Sequence, residues 1–83
     1  MNSPKVRSLT REFGRIIRTI RSEKDLSMRD IEAISGIDNS KISKIEAGKV
    51  NVSLSTLVGL ARGLGVHPSE LLKGDFDRAE SGE

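Results

Sequence analysis

The 83-residue chain has no cysteine and a single histidine, His67. Disulfides, thiolate metal sites and cysteine nucleophiles are therefore excluded, and so are histidine-based metal clusters. A chain without cysteine fits a reducing cytoplasm. Aromatic residues are almost missing: Phe13 and Phe76 are the two, so the core must be aliphatic. No apolar run approaches the length of a membrane span. Arg11, Arg15, Arg18 and Arg21 interrupt the apolar residues near the N-terminus, which therefore does not read as a signal peptide. No carboxylate pair, nucleophile triad or metal cluster stands out. The sequence assigns no catalytic residue, no metal and no cofactor, and it reads as a non-enzyme.

Apolar residues are nevertheless plentiful. Leu, Ile, Val and Phe together supply 23 positions, too many for a disordered segment. The length suits one domain with a modest core. The net charge is only +2, but it is unevenly spread. Residues 1–49 carry 11 basic and 7 acidic side chains, and residues 50–83 carry 3 and 5. A basic half favours a polyanionic partner.

The hydrophobic pattern has the period of helices and nowhere the alternation of a strand. Residues 1–8 read as a flexible basic arm, 9–74 as a helical domain and 75–83 as a flexible acidic tail. A first helix is expected from about Leu9 to Lys24, with Leu9, Phe13, Ile16, Ile17 and Ile20 on one face. The opposite stripe, Arg7, Arg11, Arg15 and Arg18, reads as a solvated face, with a DNA flank or a protein partner as the alternative. Lys5 and Arg7 read as part of the arm, with a minor-groove contact as the alternative. A second helix has Ser27 as N-cap with Asp30 three residues later, a variant of the capping box. Ile31 and Ile34 are expected to face inward, and Gly36 to end the helix. A third helix starts from the N-cap Asp38, buries Ile42 and Ile45, and closes at Gly48. A fourth runs from Ser53 to Gly65 around Leu57, Leu60, Ala61 and Leu64. In it the Gly59 and Gly63 pair suits close packing. A fifth opens with Pro68 at its first position, carries Leu71 and Leu72, and ends at Gly74. His67 serves as its cap. The fold class is thus all-α, a compact five-helix domain.

The stretch Ser27 to Gly48, SMRDIEAISGIDNSKISKIEAG, joins two short helices through the tight turn Ser35-Gly36-Ile37-Asp38. Glycine allows the sharp reversal and Ile37 plugs the elbow. This is helix-turn-helix architecture, in which the second of the two helices enters the DNA major groove. The outward stripe of that helix is Ser40, Lys44 and Ala47, flanked by Lys41 and Ser43, with Asn39 in the first turn. Asparagine pairs with adenine, lysine with guanine, and serine with either. The free amides at Ser27, Met28 and Arg29 suit a phosphate.

From about Phe13 to Leu72 the sequence resembles the Cro and lambda-repressor type, or Xre-like, helix-turn-helix family. FGRIIRTIRSEKDLS, SGIDNSKISKIEAGK and SLSTLVGLARGLGVHPSELL carry the resemblance. It implies the lambda-repressor-like fold, with Asn39, Ser40 and Lys44 as base readers. It also implies phosphate contacts near Lys41, Lys49 and Asn51, to which Ser43 is added. Met28 stands where many members have glutamine, and Glu32 where they often have alanine. Val52 replaces a common proline, and Asp25 a common glycine that ends the first helix. Asp25 is accordingly expected at positive φ.

Two further expectations concern packing. Glu46 lies about 40° from Ile42, on the inward half of the third helix. Arg21 borders the apolar face of the first helix, so the two form a structural ion pair. The resemblance implies the same pair. Val66, Pro68, Leu71 and Leu72 offer more apolar surface than the core needs and are assigned to a dimer interface.

The expected function is a sequence-specific transcription regulator, repressor or activator, acting in the cytoplasm. It binds double-stranded DNA as a homodimer on two half-sites. The chain leaves no room for a separate sensing domain, which suits a phage regulator or a restriction-modification controller. The alternative is an antitoxin that binds a toxin and represses its operon. RNA polymerase is the other possible protein partner, and no membrane is expected.

Overall fold

The computed structural model describes residues 4–76. Among them are four α-helices and no strand: α1 (Pro4–Glu23), α2 (Met28–Ser35), α3 (Asn39–Glu46) and α4 (Leu54–Leu64). The expected fifth helix is instead a single 3-10 element, Pro68–Leu72. It has five residues, less than two turns, and 3-10 geometry occurs in such short pieces. Among the described residues no helix is long and apolar enough to cross a membrane.

Helix α1 starts five residues before the expected Leu9, so residues 4–8 of the expected arm are helical. Pro4 opens the helix, where a missing N–H costs nothing, and nothing between it and Leu9 breaks the helix. Residues 1–3 of the arm and 77–83 of the tail lie outside the described residues. The tail's first two residues are held: the Asp75 amide donates to Glu12 Oε2 at 2.8 Å, and Phe76 packs against the core.

Asp25 ends α1 at φ 56°, the one non-glycine residue at positive φ among the described residues. Its amide bonds the Ser22 carbonyl at 3.1 Å, and the Leu26 amide bonds the Arg21 carbonyl at 3.0 Å. These are the paired bonds of a Schellman motif, with aspartate in the position glycine usually takes. Ser27 and Asp30 then close a reciprocal capping box on α2.

The core is aliphatic. Ile17, Ile31, Ile42, Ile45, Leu60, Leu64 and Leu71 are fully buried, each contributing about 1.5–3 kcal/mol. Two glycines let helices cross at short range. A Cβ on Gly14 of α1 would collide with the carbonyl oxygens of Ile45 and Glu46 on α3. A Cβ on Gly63 of α4 would lie 2.7 Å from Ile31 Cγ2. Gly59, one turn earlier, faces Ile37 at 3.3 Å. The Gly59 and Gly63 pair therefore serves packing of α4 against α2 and the turn.

Two apolar residues do not lie where the pattern places them. Ile34 is exposed rather than inward. Helix α2 has only about two turns and buries a narrow strip centred on Ile31, and Ile34 lies about 60° around the helix from it. Leu71, expected at the dimer interface, is 0% exposed and belongs to the core. Consecutive residues of a helical turn face different ways, so Leu71 points inward while Leu72, 55% exposed, points out.

Candidate nucleic-acid interface

The fold brings one face of α3 to the surface. Ile42 and Ile45 anchor the helix from below, and Ser40, Lys41, Ser43, Lys44 and Ala47 are exposed on its outer side. Asp38 caps the helix: its Oδ1 accepts from the Ser40 amide at 2.9 Å and from the Ser40 hydroxyl at 3.1 Å. These two bonds, the amide's first, hold the Asp38 carboxyl below its usual value, with Lys44 adding attraction. With its hydrogen donated to Asp38, the exposed Ser40 hydroxyl is left as an acceptor.

Asn39 is half-buried rather than projecting freely. Its Nδ2 donates to Glu32 Oε1 at 3.0 Å, across the turn between α2 and α3.

Behind this face α3 is bonded to α1. Arg21 donates from Nε to Glu46 Oε2 at 2.6 Å and from Nη2 to Oε1 at 3.1 Å. Its Nη1 donates to the Leu26 carbonyl at 3.0 Å. The fork-on-carboxylate geometry restricts rotation about both side chains. Thr10 adds a second tie that the sequence reading overlooked. Its buried hydroxyl lies 2.9 Å from the Gly48 carbonyl and 3.1 Å from that of Arg7, fixing the loop that carries Lys49 and Asn51. The available signal was helical register: Thr10 is two turns before Ile17 and about 20° from it around α1.

One cleft is lined in part by α3 and another by α1 and the loop that follows α3. The first, of about 280 Å³, is lined by Arg18, Arg21, Met28, Ser43, Glu46 and Ala47. The other, of about 240 Å³, includes Arg7, Thr10, Gly48, Lys49 and Asn51. The expected phosphate positions Met28 and Ser43 thus share the first cleft, and Lys49 and Asn51 the second. Each cleft is also lined by an arginine of α1, Arg18 in the first and Arg7 in the second; both are exposed, as the solvated stripe implies. Arg7 and Arg18 are eleven residues apart, about 16 Å along a helix, and lie on either side of the Gly14 crossing. Arg29 is exposed at the start of α2. At Ser27 the amide is taken, donating to Asp30 Oδ2 at 2.8 Å. That leaves the Met28 and Arg29 amides, which head the helix and have no carbonyl of their own helix to bond.

Comparison with known proteins decides the family. The helix-turn-helix family model matches residues 17–71, more than half of the chain. The chain belongs to the Xre-like, Cro and lambda-repressor type helix-turn-helix family. Control protein C.MunI of Mycoplasma sp is 42% identical to it over 72 residues, 86% of this chain and 90% of that protein. Among solved structures, the restriction-modification controller protein C.AhdI from Aeromonas hydrophila matches this Xre-like domain with a TM-score of 0.71 at 37% identity. That match covers 75% of this chain and 94% of the controller. The controller protein C.Esp1396I, solved as a tetramer in complex with its natural 35 base-pair operator, matches with a TM-score of 0.74 at 25% identity. Here 87% of this chain and 93% of that one are covered.

Proposed function

We propose that this Xre-like domain is a sequence-specific DNA-binding transcription regulator of the restriction-modification controller kind. It acts as a homodimer on an operator with two half-sites. The observation that carries the reading is the outer face of α3: small and hydrogen-bonding side chains around Lys44, on a helix tied to α1 by the Arg21–Glu46 hydrogen bonds. Small Ser43 and Ala47 allow close approach to the groove, while Asn39, Ser40 and Lys44 meet base edges. The similarity to C.MunI and to an operator-bound controller supports the same reading.

Phosphates are met from both clefts. Lys49, Asn51 and Arg7 serve one flank, and Arg18, Ser43 and the amides of Met28 and Arg29 serve the other, with Lys41 and the Arg29 side chain nearby. The spacing of Arg7 and Arg18, about 16 Å, is comparable to the roughly 12 Å width of the major groove.

The dimer face lies around the 3-10 element and the apolar cleft beside it. Leu72 and the half-buried Val66 and Pro68 remain candidates, and Leu71 does not. Leu9, Val50, Val52, Leu57, Leu72 and Phe76 line a cleft of about 210 Å³, and exposed Leu54 lies one turn before Leu57. Pairing doubles the phosphate contacts, which a single small module needs for useful affinity. A cytoplasmic place fits a DNA-binding regulator with this composition.

Selection of bound duplexes from a random pool tests the reading. The expected product is a pseudo-palindrome with half-site centres about 34–36 Å apart, or a multiple of that. A pool that stays random after repeated rounds would refute it.

A further inference from the structure

Glu32 stands out as a carboxylate placed next to a surface that is to meet a polyanion. Its Oε1 accepts from Asn39 Nδ2 at 3.0 Å, and both side chains are partly buried. Glu32 is on α2 and Asn39 begins α3, so the bond spans the turn. Both helices are also anchored in the core, α2 by Ile31 and α3 by Ile42 and Ile45.

We infer that Glu32 is a specificity-positioning residue: it locks the Asn39 amide in the one orientation that reads adenine. The inference rests on the proposed DNA-reading role of α3. A carboxylate accepts hydrogen bonds and offers none. Turning the Asn39 amide over would set its oxygen against Glu32 oxygen, so only the orientation with Nδ2 toward Glu32 is stable. One of the two Nδ2 hydrogens is then used. What remains is one donor and one acceptor, Oδ1, the pair that matches adenine N7 and N6. Guanine offers two acceptors, N7 and O6, on the same edge. Reading it requires two donors, and Glu32 has removed one of them. The carboxylate charge also disfavours a nearby guanine O6. Glu32 thus does not need to touch DNA to narrow what Asn39 accepts.

The test is selection from a random duplex pool with wild type, Glu32→Ala, Glu32→Gln, Asn39→Ala and the double variant Glu32→Ala/Asn39→Ala. Thermal unfolding of each variant serves as the folding control. In wild type, one base pair per half-site should require adenine, and Asn39→Ala should lose that requirement. In Glu32→Ala the same base pair should accept guanine as well, with the adenine preference falling about tenfold, while other positions keep theirs. The double variant should match Asn39→Ala. Glu32→Gln keeps the size of the side chain but both donates and accepts, so it frees the amide to turn and should broaden the same base pair. It settles the matter if Glu32→Ala does not fold. Glu32 variants that weaken binding to all sequences equally, with wild-type base preference intact, would overturn the inference and leave the DNA-reading role standing. A wild-type pool with no preferred sequence would remove both.

Discussion

Arg21 of α1 holds Glu46 of α3 through two hydrogen bonds, with side chains only 19% and 6% exposed. A carboxylate so nearly buried depends on its partner. Removing Arg21 alone, as Arg21→Met, leaves an uncompensated charge and should cost about 2–4 kcal/mol. Glu46→Leu should cost a similar amount. The double variant should cost clearly less than the sum of the two, because no lone charge is left behind. Chemical denaturation of the four proteins measures the coupling. Coupling near zero would place the pair among ordinary surface ion pairs.

Two backbone positions, one inside α1 and one just after its end, should respond in opposite directions. Gly14→Ala drives a methyl group into the Ile45 and Glu46 carbonyls, and should destabilise by about 1–3 kcal/mol as α1 is pushed off α3. Asp25→Gly relieves a left-handed aspartate, and should stabilise by up to about 1 kcal/mol. For a domain this size 1 kcal/mol corresponds to roughly 4–8 °C in Tm, so calorimetry resolves both signs. A lower Tm for Asp25→Gly, or an unchanged Tm for Gly14→Ala, contradicts the respective account.

The helix-turn-helix was legible because its signals are local. Ser27 and Asp30 box a helix start, Gly36 breaks the chain, and Ile42 and Ile45 keep helical register. Asp25 was legible for the same reason, since α1 had to end there without a glycine. What could not be read depends on geometry across elements. Adjacent Leu71 and Leu72 are equivalent in a pattern, and only the path of the 3-10 element decides which is core. Ile34 looks like a core position until the width of the buried strip on α2 is known. The bond between Glu32 and Asn39 exists only once the turn has set the angle between their helices. Arg18 is exposed, as its stripe implies; that it also lines a cleft with Met28 and Ser43 becomes visible only once the helices are packed.

Acid should loosen the contact between α1 and the segment after the 3-10 element. The Glu12 carboxyl is lowered from 4.5 to about 2, first by the side-chain bonds from Arg15 and then by the Asp75 amide. A carboxyl with a depressed folded-state value stabilises the fold above its unfolded value. That contribution is lost as pH falls through the folded value, here between about 4.5 and 2. Urea unfolding of wild type and Glu12→Gln across this window isolates it from other carboxylates. Wild type should lose stability faster than the variant as pH drops, and parallel curves would contradict the assignment.

Leu71 and Leu72 should separate folding from assembly. Leu71→Ala opens a cavity in the core and should cost about 2–5 kcal/mol. Leu72→Asp should leave Tm within about 3 °C at concentrations where both proteins are monomeric but yield monomer in sedimentation equilibrium at concentrations where wild type is dimeric. A Leu72→Asp protein that still dimerises as wild type would move the interface elsewhere.

The central claim is that the outer face of α3 reads bases while the bordering clefts grip phosphates. Arg18→Ala and Lys49→Ala provide the reference, each weakening all duplexes alike and lowering the salt slope by about one unit. The most direct measurement is the affinity of Lys44→Ala for the selected operator and for a shuffled duplex of the same length, at one salt concentration. The account predicts a loss of about 1–3 kcal/mol on the operator and a markedly smaller one on the shuffled duplex. Equal losses on the two duplexes would contradict it.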